Sequence, residues 1–132
     1  MADPSKEMVD KYLSSSEIFL AKDQKHIIGI LVLKREQNAA EIMNVAVEEK
    51  YQGKGIGTQL LQHVIQYSRE AGIKQLSIGT ADISLDQITL YQKLGFKVND
   101  RIADFFLKNY EKPIYENGKL AKDMIRLEMS LS

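Results

Sequence analysis

The residues best placed to do chemistry lie in one stretch, Val45-Ala46-Val47-Glu48-Glu49-Lys50-Tyr51-Gln52-Gly53-Lys54-Gly55-Ile56-Gly57-Thr58. It reads as a strand, a glycine-rich turn and the start of a helix. The first N–H groups of a helix have no partner within it, and the helix dipole adds partial positive charge there. Such a turn binds anions. Gly53, Gly55 and Gly57 stand at alternate positions, which is more glycine than a tight turn requires. Glycine lets a pyrophosphate approach the backbone closely. Two well-known phosphate loops do not fit. A Walker A loop has Ser or Thr after its lysine, and Lys54 is followed by Gly55. The dinucleotide fingerprint, counted from Gly53 and Gly55, needs a third glycine where Thr58 stands, and it opens an early βαβ unit.

Composition narrows the chemistry further. There is no cysteine, hence no disulfide, thiolate nucleophile or Cys-ligated zinc. His26 and His63 are the only histidines and lie far apart, which disfavours a Ser-His-Asp site or a multi-histidine metal site. No metal is expected. Eighteen basic residues balance eighteen acidic ones, which argues against a broad electrostatic grip on nucleic acid or anionic membrane. The polar start lacks an apolar signal core, and no apolar run approaches the ~20 residues of a membrane span. A cytoplasmic protein is expected, most naturally in a bacterial cytosol. Its 132 residues correspond to a single domain, 1–132.

The elements that must position the loop follow from periodicity. Asp3 or Ser5 caps a short helix through Leu13, with Met8, Val9, Tyr12 and Leu13 at helical spacing. Ile18 to Ala21 is a strand, and Ile27 to Leu33, apolar almost throughout, a strand buried on both faces. Glu41 to Val47 is a third. With turns at Lys22–Lys25 and Gln37-Asn38, they form an antiparallel meander. After the loop, Ile56, Leu60, Leu61, Val64 and Ile65 make one helical stripe, ended by Ala71-Gly72. A strand over Ile73 to Ile78, a helix over Ser84 to Leu94 closed by Gly95, and a strand at Phe96-Lys97-Val98 come next. Arg101 to Lys122 is a long irregular excursion with four aromatics, Phe105, Phe106, Tyr110 and Tyr115. A last strand alternates Ile125, Leu127, Met129 and Leu131 with polar residues. The order is α-β-β-β-α-β-α-β-β.

The spacing Gln52-x-x-Gly55-x-Gly57, in this order of elements, resembles the GNAT superfamily of acetyl-CoA-dependent N-acetyltransferases. A second phrase, Leu90-Tyr91-Gln92-Lys93-Leu94-Gly95-Phe96, is similar to its other hallmark, a helix ending Leu-Tyr-x-x-x-Gly-Phe. The resemblance runs from about Ile18 onward. It implies an α/β fold with a mixed, mostly antiparallel sheet flanked by helices, here with a shortened N-terminus. It implies acetyl-CoA as cosubstrate, with the pantetheine arm pairing with the backbone of Val45, Ala46 and Val47, a sheet-edge mode, and Gln52, Gly53, Lys54, Gly55, Ile56, Gly57 and Thr58 holding the pyrophosphate. Tyr91 stands where the family keeps the general acid that protonates the departing thiolate, and tyrosine has a suitable intrinsic pKa for that. Glu41, four residues before Val45, stands at the spacing of a glutamate general base in some relatives. It reads equally as a solvated strand-end carboxylate. Glu41, Met43, Val45 and Val47 share strand parity, unless a bulge intervenes. Many relatives have asparagine where Ser84 stands, at the cofactor; Ser84-x-x-Gln87 also reads as a capping box, and capping is its main expected role. Asp82 is a weaker candidate nearby.

The expected reaction is direct transfer from acetyl-CoA to a primary amine, with the Val47 N–H as oxyanion donor. The acceptor is a small amine or a protein N-terminus; the tail from Arg101 to Ile125 faintly resembles bacterial enzymes that acetylate N-termini. The rival readings are an acetyl-CoA-binding module with little turnover and a Rossmann-type nucleotide binder, the latter weakened by the glycine spacing. The first strand of the family scheme looks absent or very short. That leaves a sheet edge or cleft poorly covered, and a homodimer is expected to cover it through the Arg101–Lys122 excursion.

Overall fold

Residues 16–131 are described here from a computed structural model. The expected helix at Asp3–Leu13 and the question of a first family strand fall outside them. The described residues form two compact units: one runs to Leu76 and takes in Ser130, and the other spans Ser77–Met129.

In the first unit, β1 (Ser16–Asp23), β2 (His26–Glu36) and β3 (Ala39–Val47) form the expected antiparallel meander, with Phe19 opposite Leu31 and Leu31 opposite Val45. Its turns use left-handed residues, Gln24 and Gln37. Leu31, Val32 and Leu33 are fully buried, so the centre of β2 is covered on both faces, as its apolar run predicts. Its first residues are not, and Ile27 is half exposed. The long helix α1 (Ile56–Glu70) lies on one face of the meander. It seats closely there because Gly29 has no side chain: a Cβ at that position would fall 3.1 Å from Leu60 and 3.3 Å from Ile56. Leu61 and Val64 are buried beneath it, and Phe19 meets Tyr67 edge-on at 5.0 Å. At the far end, Gly72 takes a positive φ of 79°, and Arg35 donates to the carbonyl of Ala71 at 3.0 Å, satisfying an orphan carbonyl of the last turn.

In the second unit the hydrogen-bonded strand order is β4-β8-β5. Here β4 is Gln75–Ala81, β5 is Lys97–Ile102 and β8 is Met124–Ser130, with β5 and β8 antiparallel. The strand expected at Ile73 starts two residues later. The N–H of Ile73 is instead held by the carbonyl of Ser68 at 2.9 Å, which completes the helix end. Helix α2 (Leu85–Leu94) is closed by Gly95 at φ 112°, and Phe96 and Leu127 are fully buried.

The excursion is more regular than its sequence predicts. It holds a one-turn helix, α3 (Phe105–Asn109), and a two-residue hairpin, β6 (Tyr115–Glu116) with β7 (Lys119–Leu120). Asn117 and Gly118 both take positive φ, 51° and 78°, as a mirror-type turn requires. Three charges tie its ends down. Arg101 Nε donates to Asp123 at 2.6 Å, Arg101 Nη2 lies 3.5 Å from Asp82, and Asp123 also accepts the Asp104 N–H at 2.9 Å. The Asp104 N–H, then Arg101, hold the Asp123 carboxyl below the usual carboxylate range.

Candidate active site

The loop between β3 and α1 is built to leave backbone donors open. Gly53 and Gly55 take left-handed φ values of 78° and 84°, a conformation that costs other residues steric strain. A Cβ at either glycine would meet nothing within 4 Å, so their lack of a side chain serves approach from outside rather than internal packing. Gly55 is the N-cap of α1 and offers no capping side chain, and no acid lies in the first turn. The first helical bond runs from the Gln59 N–H to the Gly55 carbonyl. The N–H groups of Ile56, Gly57 and Thr58 precede it, with a fifteen-residue helix behind them. Gln52 does not point outward: its Nε2 donates to the Val47 carbonyl at 3.0 Å and braces the loop against the strand end.

The register of β3 separates the backbone of its last residues. The Glu48 N–H donates to the Ile28 carbonyl, which continues the ladder pairing Ile30 with Ala46 and Gly29 with Val47. Bonded and non-bonded pairs alternate in an antiparallel ladder. The backbone groups of Ala46 are therefore committed to β2, while those of Val45 and Val47 face away from it. Of the three residues expected to pair with a pantetheine arm, Ala46 has its backbone groups committed to β2, and the Val47 carbonyl accepts from Gln52. The Val47 N–H faces away from β2.

Glu41 requires a correction. The register shifts so that Val32 faces Asn44 while Leu33 faces Ile42, leaving Met43 as an extra, bulged residue. A bulge reverses side-chain parity. Glu41 pairs with Lys34 and shares a face with Asn44 and Ala46, not with Val45 and Val47. Val47 faces α1, since its Cγ2 lies near Gly57. The same face carries a residue that the sequence reading passed over. Asn44 is buried, and its Oδ1 has no hydrogen-bond partner. The available signal was one amide side chain inside the apolar run Ile42-Met43-Asn44-Val45.

Tyr91 and Ser84 belong to the second unit. Tyr91 is 7 % exposed and packs edge-on against Phe96 at 6.2 Å. Burial pushes its hydroxyl up to about 12, so it is a neutral phenol able to donate a proton. The capping box at Ser84 is not formed. Ser84 Oγ donates to Glu116 on β6 at 2.6 Å, and Gln87 accepts from Thr80 at 2.9 Å. Both partners of the supposed box are held by tertiary neighbours, which local spacing cannot foresee. Asp82 joins the Arg101 cluster. Among the described residues no group of three or more His, Asp or Glu could hold a metal, and no helix is long and apolar enough to cross a membrane. His63 is exposed on α1, while His26 meets Glu48 at 2.7 Å.

A strand end that leads into an open glycine loop at a helix start is an anion-binding arrangement. Comparison with known proteins gives the family. Residues 2–96 match the Acetyltransferase (GNAT) family. The chain is 41% identical over 132 residues to the uncharacterized N-acetyltransferase YvbK of Bacillus subtilis, covering 99% of this chain and 85% of that protein. It is 49% identical, with a TM-score of 0.95, to a GNAT family acetyltransferase of Elizabethkingia anophelis with acetyl-CoA bound, covering 98% of this chain and 86% of that one. A Bacillus subtilis acetyltransferase in complex with CoA is 40% identical, with a TM-score of 0.93, over 99% and 87%. The chain belongs to the GNAT family of acetyltransferases, with that family's mixed, mostly antiparallel sheet and its use of acetyl-CoA.

Proposed function

We propose that the protein is a cytoplasmic bacterial N-acetyltransferase that moves the acetyl group of acetyl-CoA directly to a primary amine, a small molecule or a protein N-terminus. The observation that carries this reading is the open, uncapped glycine loop at the start of α1; the buried, neutral tyrosine on the helix that ends Leu-Tyr-x-x-x-Gly-Phe supports it separately. The loop from Gln52 to Thr58 supplies backbone donors to the pyrophosphate, and the pantetheine arm runs along the end of β3 from Val45 to Val47. Ser84 Oγ donates to Glu116 and the Ala46 backbone pairs with β2, so neither is given a cofactor contact here. The thioester supplies an activated carbonyl. The amine nitrogen attacks it, with the Val47 N–H stabilising the oxyanion. The C–S bond breaks, and Tyr91 donates its proton to the departing sulfur. Glu41, on the face shared with Asn44, takes the proton lost by the amine, directly or through water.

Acceptor profiling tests this reading. With acetyl-CoA and panels of polyamines, amino acids, aminoglycosides and N-terminal peptides, CoA release should depend on one amine class. Tight acetyl-CoA binding with no release for any class would favour a binding module. With the accepted amine, Glu41→Gln should reduce kcat by about 10²–10⁴-fold at neutral pH, the usual range for a general base, and leave acetyl-CoA affinity unchanged. An unaltered kcat at every pH would leave Glu41 a strand-end carboxylate. We also propose a homodimer, supported by the exposed Leu107 and Tyr115 of the excursion. Light scattering at micromolar concentration should give twice the 15.0 kDa chain mass, and a monomer mass unchanged by acetyl-CoA would refute it.

A further inference from the structure

Lys54 lies between two left-handed glycines in the loop, yet its ammonium does not hang freely in solvent. Its Nζ stands 5.4 Å from the centroid of the Tyr51 ring. That ring is held in turn, because the Tyr51 hydroxyl donates to Asp23 Oδ2 at 2.9 Å. Asp23 closes the β1–β2 hairpin, opposite His26. His26 bonds to Glu48 at 2.7 Å, and the Glu48 N–H bonds to Ile28 at 2.8 Å. Tyr51 sits in the turn Glu49–Tyr51, directly ahead of the loop. Asp23, at the turn of the β1–β2 hairpin, thus fixes the ring on which the loop lysine rests. Every group in this chain of contacts belongs to the first unit. A cation over an aromatic face is attracted by the ring quadrupole, and a lysine otherwise free to turn about four single bonds is thereby confined.

We propose that Tyr51, pinned by Asp23, is a positioning residue that pre-orients the Lys54 ammonium for the phosphates of CoA. This rests on the assignment of Gln52–Thr58 as the pyrophosphate loop. Confinement before binding reduces the ordering cost at binding, so the effect falls on affinity and not on the acetyl-transfer step. An exposed cation–π contact corresponds to roughly a two- to fivefold change in a dissociation constant.

The test is calorimetric titration with CoA, together with kinetics at saturating acetyl-CoA. Tyr51→Leu should weaken CoA binding about two- to fivefold and raise KM for acetyl-CoA in proportion, with kcat unchanged. Asp23→Ala and Tyr51→Phe, which break the pin but keep the ring or the hairpin, should each weaken binding by less, and should not add to one another. Asp23→Asn, which still accepts the phenol proton, should restore wild-type affinity. The decisive comparison uses a Lys54→Met background, in which none of these changes should weaken binding further. If they act there as strongly as in the wild type, Tyr51 is only structural and the proposal is overturned. If Tyr51→Leu fails to fold, the same comparison with Tyr51→Phe and Asp23→Ala decides. Should Lys54→Met and Gly55→Val both leave CoA affinity untouched, the loop assignment itself has failed, a result distinct from additivity.

Discussion

Tyr91→Phe is expected to lower kcat by about 10²–10⁴-fold, the usual contribution of a positioned general acid, while acetyl-CoA affinity and stability stay close to wild type. The substitution removes one hydroxyl. The ring that meets Phe96 at 6.2 Å remains. With its pKa pushed up to about 12 by burial, the phenol is protonated throughout the working range. It is therefore in its proton-bearing form at any ordinary assay pH, and no alkaline loss of activity near the usual tyrosine pKa should trace to it. The measurement is steady-state turnover with the preferred acceptor, in a regime where acetyl transfer is shown to limit the rate, beside a CoA titration. Full turnover in the variant would reduce Tyr91 to a packing residue.

The second large effect is expected at Gly55. Gly55→Val should weaken acetyl-CoA binding roughly ten- to hundredfold without unfolding the protein. Two costs combine. A side chain at φ 84° carries left-handed strain of about 1–2 kcal/mol, which the free loop relieves by leaving the conformation that binds. It also stands in the open space through which the pyrophosphate reaches the backbone, where each charge-assisted hydrogen bond contributes about 1.5–3 kcal/mol. The fold should survive because the new Cβ meets no neighbour within 4 Å. Gly55→Ala should fall between wild type and Val. Calorimetry measures the affinity, and circular dichroism checks the fold. Undiminished affinity in a folded Val variant would remove the loop from the site.

The same contrast between local and tertiary cause explains which features could be read in advance. The meander, the helix after the glycine loop and the helix ending at Gly95 were legible because each rests on a short-range rule. Apolar runs bury strands, a 3.6-residue stripe buries one side of a helix, and glycine supplies the positive φ at Gly72 and Gly95. The excursion was read as irregular because a five-residue helix and a two-residue hairpin have too few residues to show a period. Their ends depend on Arg101, Asp82 and Asp123, which lie far apart in the chain. The capping box at Ser84 failed for the same reason. Its two side chains had better partners in Glu116 and Thr80, 32 and 7 residues away.

The amino-acid sequence by itself determined the family, the order of the longer strands and helices among the described residues, and the glycine loop between β3 and α1. Those depend on residue types at fixed short spacings, above all glycines, which take the left-handed backbone of Gly53 and Gly55 without the strain a side chain brings. Only the tertiary structure decided where the side chains and backbone groups point. The bulge at Met43 turns Glu41 and Asn44 to one face and Val45 and Val47 to the other. The ladder with β2 uses the backbone of Ala46 and turns those of its neighbours outward. Burial raises the Tyr91 pKa, and the β1–β2 hairpin holds Tyr51 beneath Lys54. Each of these follows from pairing or packing between segments distant in sequence, and no local pattern of residues encodes it.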